Sequence, residues 1–277
     1  MPSRLWKNGW RTVSWRSREV RRLGKFVRLV KNEWLKVFVR PRTAVLLAIL
    51  IALVFGTALF LAYVASASQF GSDLWGFAYQ CSHLLILPLV LSMIVAGDIV
   101  SSEFNWGTIK LLLIRPANRT KILYAKYAAA VLFSMFCLVL FFVASLLFGL
   151  VFFGWGPLDQ IGGQILAEYG YYLIETVMMV TLAFAVSTVS RSSSLGIGLS
   201  IFLKFIGMFL VGILQSFEME WGKYLLAANL DLGQYEAGQP IPFPGMSVGF
   251  SVVILVLHFL LFHAVAWVSF TKRDVAV

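Results

Sequence analysis

Six apolar runs, separated by short polar stretches, dominate the chain. They cover about Ala44–Val64, Gly76–Gly97, Tyr127–Phe153, Tyr169–Val189, Leu195–Leu214 and Met246–Phe270. A helix crosses a bilayer core with about 20 apolar residues, so each run predicts a membrane-spanning helix. The third is long enough to tilt or to continue beyond the bilayer. Ahead of the first run the pattern changes. Leu23, Phe26, Val27, Val30, Trp34, Val37 and Phe38 recur at helical spacing, and Lys25, Arg28, Lys31, Asn32 and Lys36 fill the other face. This predicts an amphipathic helix over residues 23–41, lying in the headgroup region with Phe26, Val30, Trp34 and Phe38 in the apolar boundary and its cations near anionic lipid. Pro41 ends it and turns the chain into the membrane. The alternative is an ordinary cytosolic helix. Residues 1–22 form a basic, weakly patterned extension. The fold class is thus all-α integral membrane, with a six-span domain over residues 42–277.

Composition agrees with this reading. Hydrophobic residues make up 60% of the chain and charged ones 13%, with a mean hydropathy of +0.84. A soluble domain carries about twice that charged fraction. The basic residues set the orientation. Of the 23 Lys and Arg, thirteen precede the first run, five lie between runs two and three (Lys110, Arg115, Arg119, Lys121, Lys126), Arg191 sits between four and five, and Lys272 and Arg273 close the chain. Lys223 alone lies in the loop of about residues 215–245, and Lys204 lies inside run five. By the positive-inside rule both termini are cytoplasmic and that loop is extracellular. The net charge of +10 is accounted for by topology, with no nucleic-acid partner implied. The Arg-rich start lacks the short apolar run and small-residue cleavage site of a signal peptide.

Candidate chemistry is sparse. Cys81 and Cys137 have no partner spacing and read as buried small hydrophobes. His258 and His263 lie five residues apart, on different helix faces, so no metal site is expected. There is no G-x-x-x-x-G-K-[ST] phosphate loop, no G-x-S-x-G and no H-E-x-x-H. The chain is therefore not read as an enzyme. Two acidic or basic residues other than histidine fall inside runs: Glu175 in the fourth and Lys204 in the fifth. Folding those helices back on each other at the short turn near Arg191 leaves the two about four residues apart in depth, roughly 6 Å at the helix rise. A lysine side chain spans that distance, which predicts a Glu175–Lys204 pair, serving either helix packing or a substrate path. Gly196, Gly198 and Ser200 give the fifth run a small face suited to close packing.

The stretch of about residues 98–126 is the most informative. The second helix is expected to continue through Glu103, with Asp98 solvated where it leaves the membrane. Gly107 permits a bend, and Ile109, Leu111, Leu112, Leu113 and Ile114 form a short apolar run between Lys110 and Arg115. Pro116 stops it, and Asn118 or Thr120 caps the next helix. An exposed apolar turn of this kind needs a cover, either a partner protein's groove or the chain's own amphipathic helix.

Here the sequence resembles a family. Glu103-x-x-x-Gly107-Thr108-Ile109-Lys110, followed by Arg115-Pro116 and Arg119-Thr120, is similar to the permease subunits of ABC-2-type transporters. Asn32-Glu33-Trp34-Leu35-Lys36 resembles their start, and Phe270-Thr271-Lys272-Arg273-Asp274-Val275 their end. The likeness covers roughly residues 30–277 and is nearest the bacitracin-export-like branch. It implies the ABC-2-type exporter fold, with residues 23–41 as an interfacial elbow helix. It implies a cytoplasmic coupling element that docks on a separate ATPase subunit, here Glu103, Asn105, Trp106, Gly107, Thr108, Ile109, Lys110, Leu111, Leu112 and Arg115. It further implies a second permease copy or a related permease, and membrane lipid as partners. ATP and Mg would sit in the ATPase subunit, with no cofactor in this chain. The expected function is export of an amphipathic or lipid-like compound or a peptide antibiotic across a bacterial cell membrane. The alternatives are an ion-coupled secondary transporter and a non-transporting sensor or anchor.

Overall fold

The computed structural model describes residues 24, 26–68, 73–105, 118–158, 161–236 and 241–272. Among them every regular element is helical. Helix α1 covers residues 26–39 and bends at Arg40 into α2 (Pro41–Ser68). Pro41 thus opens a helix, where its missing N–H costs nothing. The remaining elements are α3 (Leu74–Ser82), α4 (Ile86–Ile99), α5 (Ser101–Asn105), α6 (Arg119–Phe153), α7 (Ile161–Ser190), α8 (Ser193–Ser216), the short α9 (Leu226–Asn229) and α10 (Val248–Lys272). Single 3₁₀ turns at Glu220–Tyr224 and Leu232–Tyr235 flank α9. Among the described residues, six stretches are long and apolar enough to cross a membrane.

Two breaks divide what reads in sequence as one second helix. The first lies at residues 83–85, between α3 and α4. Pro88 has no N–H and its ring crowds the carbonyl of residue 84, so an unbroken α-helix cannot pass there. The backbone instead tightens, with N–H groups of Leu84, Leu85 and Leu87 donating to the carbonyls of Cys81, Ser82 and Leu84 at 2.8, 3.2 and 2.9 Å. The Leu84 carbonyl, which Pro88 cannot bond, is thereby paired within the chain, as lipid requires. The second break is at Val100, where α4 stops short of Glu103 and α5 begins. By contrast α6 starts at Arg119, two turns before its apolar run, because the Asn118 side chain accepts the Thr120 N–H at 3.2 Å. Its far end closes on Gly154 at φ 75°, a left-handed position that favours glycine. That turn aims the Gly154 carbonyl at Leu74 N–H (3.1 Å) and the Gly156 carbonyl at the Trp75 indole (3.1 Å), tying α3 to the end of α6.

Helices α4 and α7 form the centre. In their most apolar stretches 72% and 67% of residues are buried, against 17–33% in the other four spans. Around them stand α6, α8 and α10, with α2 and α3 against the outer side of α6. Phe60, Phe202, Phe209, Leu257 and Leu260 point outward from this ring, an apolar belt that suits lipid rather than water. The central crossing is very close. A Cβ on Gly97 of α4 would lie 2.8 Å from Ile197 Cγ1 and 3.0 Å from the Ile197 amide nitrogen; one on Gly196 of α8 would lie 2.6 Å from Ser187 Cβ. The small face of α8 therefore packs inside the chain through Gly196, while Gly198 meets nothing within 4 Å. Gly97→Ala and Gly196→Ala are each expected to destabilise the bundle by about 1–3 kcal/mol. Thermal unfolding in mild detergent tests this, with Gly198→Ala unchanged from wild type as the control.

Candidate functional site

At the end of the bundle that carries α1, four charged side chains meet. Lys126 of α6 is 1% exposed, yet its ammonium spends all three donors: on Glu33 Oε2 of α1 (2.6 Å), Glu103 Oε1 of α5 (3.0 Å) and the Ile99 carbonyl (3.2 Å). Lys36, one turn along α1, bridges the same carboxylates, reaching Glu33 Oε1 at 3.0 Å and Glu103 Oε1 at 2.9 Å. The two anions and two cations balance. Burial alone would lower the Lys36 pKa, but hydrogen bonding and charge from Glu103 and Glu33 outweigh it, and the pKa is raised above 10.5.

Neighbouring contacts widen this junction. Arg40 and Arg42 both pair with Asp98, Arg42 at 3.1 Å, and Arg40 also donates to Ser102 Oγ at 3.0 Å. Asp98 is thus not solvated as expected; the chain bends at Arg40 and brings two guanidiniums over it. On the other side of α5 the Arg191 guanidinium lies 4.9 Å from the Phe104 ring centroid. The short helix α5 is held to α1, α6 and the α7–α8 turn at once.

The apolar side of α1 faces α6. Trp34 packs on Phe38 and Phe136, and Phe38 meets Phe133 and Phe136, with ring centroids 4.8–6.2 Å apart. Phe26 and Val30 border an apolar groove shared with Val131 and Met135. Of the proposed coupling residues, Glu103 lies in the junction and Asn105 ends α5. Trp106, Gly107, Thr108, Ile109, Lys110, Leu111, Leu112 and Arg115 lie outside the described residues. Sequence reading passed over Glu33 and Lys126. The available signal was a lone acid on the basic helix and a lysine at the edge of an apolar run.

The second constellation is at the opposite end. Lys204 of α8 donates to Glu175 of α7, and both are buried, as folding the two helices about their turn predicts. The pair lines a cavity of about 470 Å³. Glu168 and the exposed Asp231 and Glu236 add three more carboxylates to its lining, His83 the only other ionisable nitrogen, and Tyr171, Tyr172, Met208 and Val211 its aromatic and apolar walls. The segment that roofs it is pinned. Buried Asn229 donates to the carbonyls of Lys223 and Leu225, both at 2.8 Å, and accepts from Ser251 Oγ at 2.6 Å, which in turn meets the Tyr235 hydroxyl at 2.6 Å.

Removing one member of the first network strands charge. Lys126→Met is expected to cost about 3–5 kcal/mol, because Glu33 and Glu103 then lose the buried ammonium that lies between them. Adding Glu33→Gln restores neutrality and should recover more than half of that loss in a detergent melting series. The Lys36 contribution has its own pH signature. Its raised pKa makes it fully present below 10.5 and lost as pH climbs through the folded value. Wild type and Lys36→Gln should therefore differ by a constant amount through neutral pH and converge in strongly alkaline buffer.

The chain is 38% identical over 225 residues to "Uncharacterized protein YhcI" of Bacillus subtilis (strain 168), covering 76% of this chain and 71% of that protein. To "Uncharacterized membrane protein YdbK" of the same organism it is 34% identical over 246 residues, covering 88% and 100% respectively. Residues 45–276 match the DUF2705 family, described as "Protein of unknown function". With six membrane-length helices and this match across most of its length, the chain is a multi-pass membrane protein that belongs to the DUF2705 family.

Proposed function

We propose that this chain is the permease subunit of an ABC-2-type exporter in a bacterial cell membrane, with both termini cytoplasmic and ATP hydrolysed by a separate subunit. The observation that carries this reading is the buried Glu33–Lys126–Glu103–Lys36 network. It sits where α5 leads into residues 106–117, the stretch whose Glu103-x-x-x-Gly107-Thr108-Ile109-Lys110 motif resembles a coupling element. A push on that stretch reaches α5. There, sliding α5 alone would draw the Glu103 carboxylate away from the Lys126 and Lys36 ammonium groups and leave both on Glu33, at a cost of several kcal/mol. The low-energy response moves α1, α5 and the start of α6 together. Such an assembly, with α1 as the elbow, passes a displacement from an ATPase surface into the spans. The energy must enter through contacts that differ between the two states of that ATPase.

A second reading, an ion-coupled secondary transporter, draws on one observation: the Glu175–Lys204 pair is buried within spans, beside a cavity. The two readings part over the energy source. Affinity-tagged chain, extracted in mild detergent from the native host, is expected to bring down a phosphate-loop ATPase identifiable by mass spectrometry. Gly107→Pro and Ile109→Asp should lose that partner while the permease still elutes as a folded species. A well-folded preparation with no ATPase, and flux that follows an ion gradient in liposomes, would instead establish the second reading.

A further inference from the structure

We infer that the cavity between α7, α8 and the α8–α10 segment is a binding site for an amphipathic organic cation, and that Lys204 is its built-in competitor for Glu175. The inference deepens the permease reading by naming the class of cargo.

The cavity of about 470 Å³ is in the range that holds a drug-sized molecule. Its walls are mixed: Tyr171, Tyr172, Met208 and Val211 offer aromatic and apolar contact, and the cavity carries more acid than base. Asp231 Oδ1 accepts only the Gly233 N–H, at 2.8 Å, and among the described residues no ion pair reaches Glu168, Asp231 or Glu236. Three carboxylates therefore line one cavity without a lysine or arginine partner among the described residues. Such a concavity concentrates positive charge, and aromatic faces add attraction for a cation that is itself apolar.

Glu175 and Lys204 supply a second, independent observation. They are 4% and 8% exposed, both line the cavity, and each has the other as its one side-chain partner among the described residues. An ammonium has three donors and a carboxylate two acceptor oxygens, so each of these two cavity-lining groups can take a further polar partner beside the other. An anionic ligand would meet four carboxylates there. A cation meets three that have no lysine or arginine partner among the described residues and can compete with Lys204 for the fourth. The wall that residues 227–236 contribute is held by Asn229, Ser251 and Tyr235, so that side of the site is preformed rather than assembled on binding.

Equilibrium binding of radiolabelled tetraphenylphosphonium to the purified full chain in lipid nanodiscs tests this, with protein-free nanodiscs subtracted. Tetraphenylborate, the same shape with opposite charge, is the control. Saturable binding of the phosphonium and none of the borate is expected. The triple variant Glu168→Gln, Asp231→Asn, Glu236→Gln removes charges that are at least partly exposed, so its melting point should match wild type while its affinity falls at least tenfold. Lys204→Met, measured at pH 8, should bind at least threefold more tightly, because the competitor for Glu175 is gone. No saturable phosphonium binding, equal binding of the borate, or wild-type affinity in the triple variant or in Lys204→Met would overturn the proposal. The chain is tested alone, so the result stands apart from whether an ATPase co-purifies.

Discussion

An ammonium group that is 1% exposed inside an apolar bundle must be compensated completely, and Lys126 is. Its three donors each meet an oxygen, two of them on carboxylates from different helices. This one constraint organises the end of the molecule that bears α1. Without α1 docked, Glu33 would be missing from the network; without the break at Val100, Glu103 would not be carried on a separate short helix. Burying two pairs of charges adds little net stability, but mismatching them is expensive. The arrangement therefore acts chiefly as a specification: it fixes how α1, α5 and α6 sit together and resists their sliding apart.

The middle of the bundle obeys a different rule. Lipid tails are as apolar as leucine, so burying leucine gives little reason for helices to associate there. Close approach and internal hydrogen bonding do the work. Gly97 and Gly196 let the backbones of α4 and α8 nearly touch beside Ser187. Hydroxyls of Ser92, Thr188 and Ser200 return to carbonyls one turn back on their own helices, and that of Ser101 in α5 reaches back across the break to Gly97 of α4, at 2.6–2.9 Å, so these buried polar groups are not left open in the core. The far end combines both rules. Asn229 and Ser251, both fully buried, hold a short helical segment over the cavity, where the Glu175–Lys204 pair lies.

Much of the architecture was legible in the order of residues. The six spans follow from hydropathy because a bilayer permits little else, and the ends of the apolar runs fall within a few residues of the helix ends in most cases. Among the exceptions, α7 begins at Ile161, two turns before the expected Tyr169, and two others have local causes. Asn118 extends α6 by two turns, and Pro88 divides α3 from α4. The Glu175–Lys204 contact was also legible, since a two-residue turn leaves neighbouring helices antiparallel in register. Asp98 was misjudged because sequence shows depth along a span but not which basic residues the preceding bend at Arg40 folds over it.

The sequence alone thus determined the number of spans, the amphipathic lead-in helix and one buried pair, because hydrophobic length and helical period are local properties. Only the tertiary structure decided that Glu33, Lys36, Glu103 and Lys126 form one network, and that Glu168, Asp231 and Glu236 line a common cavity with Glu175. Those residues come from segments far apart in the chain. Their chemistry arises from charge balance and exclusion of water at a shared point, and no periodicity along a single helix encodes it.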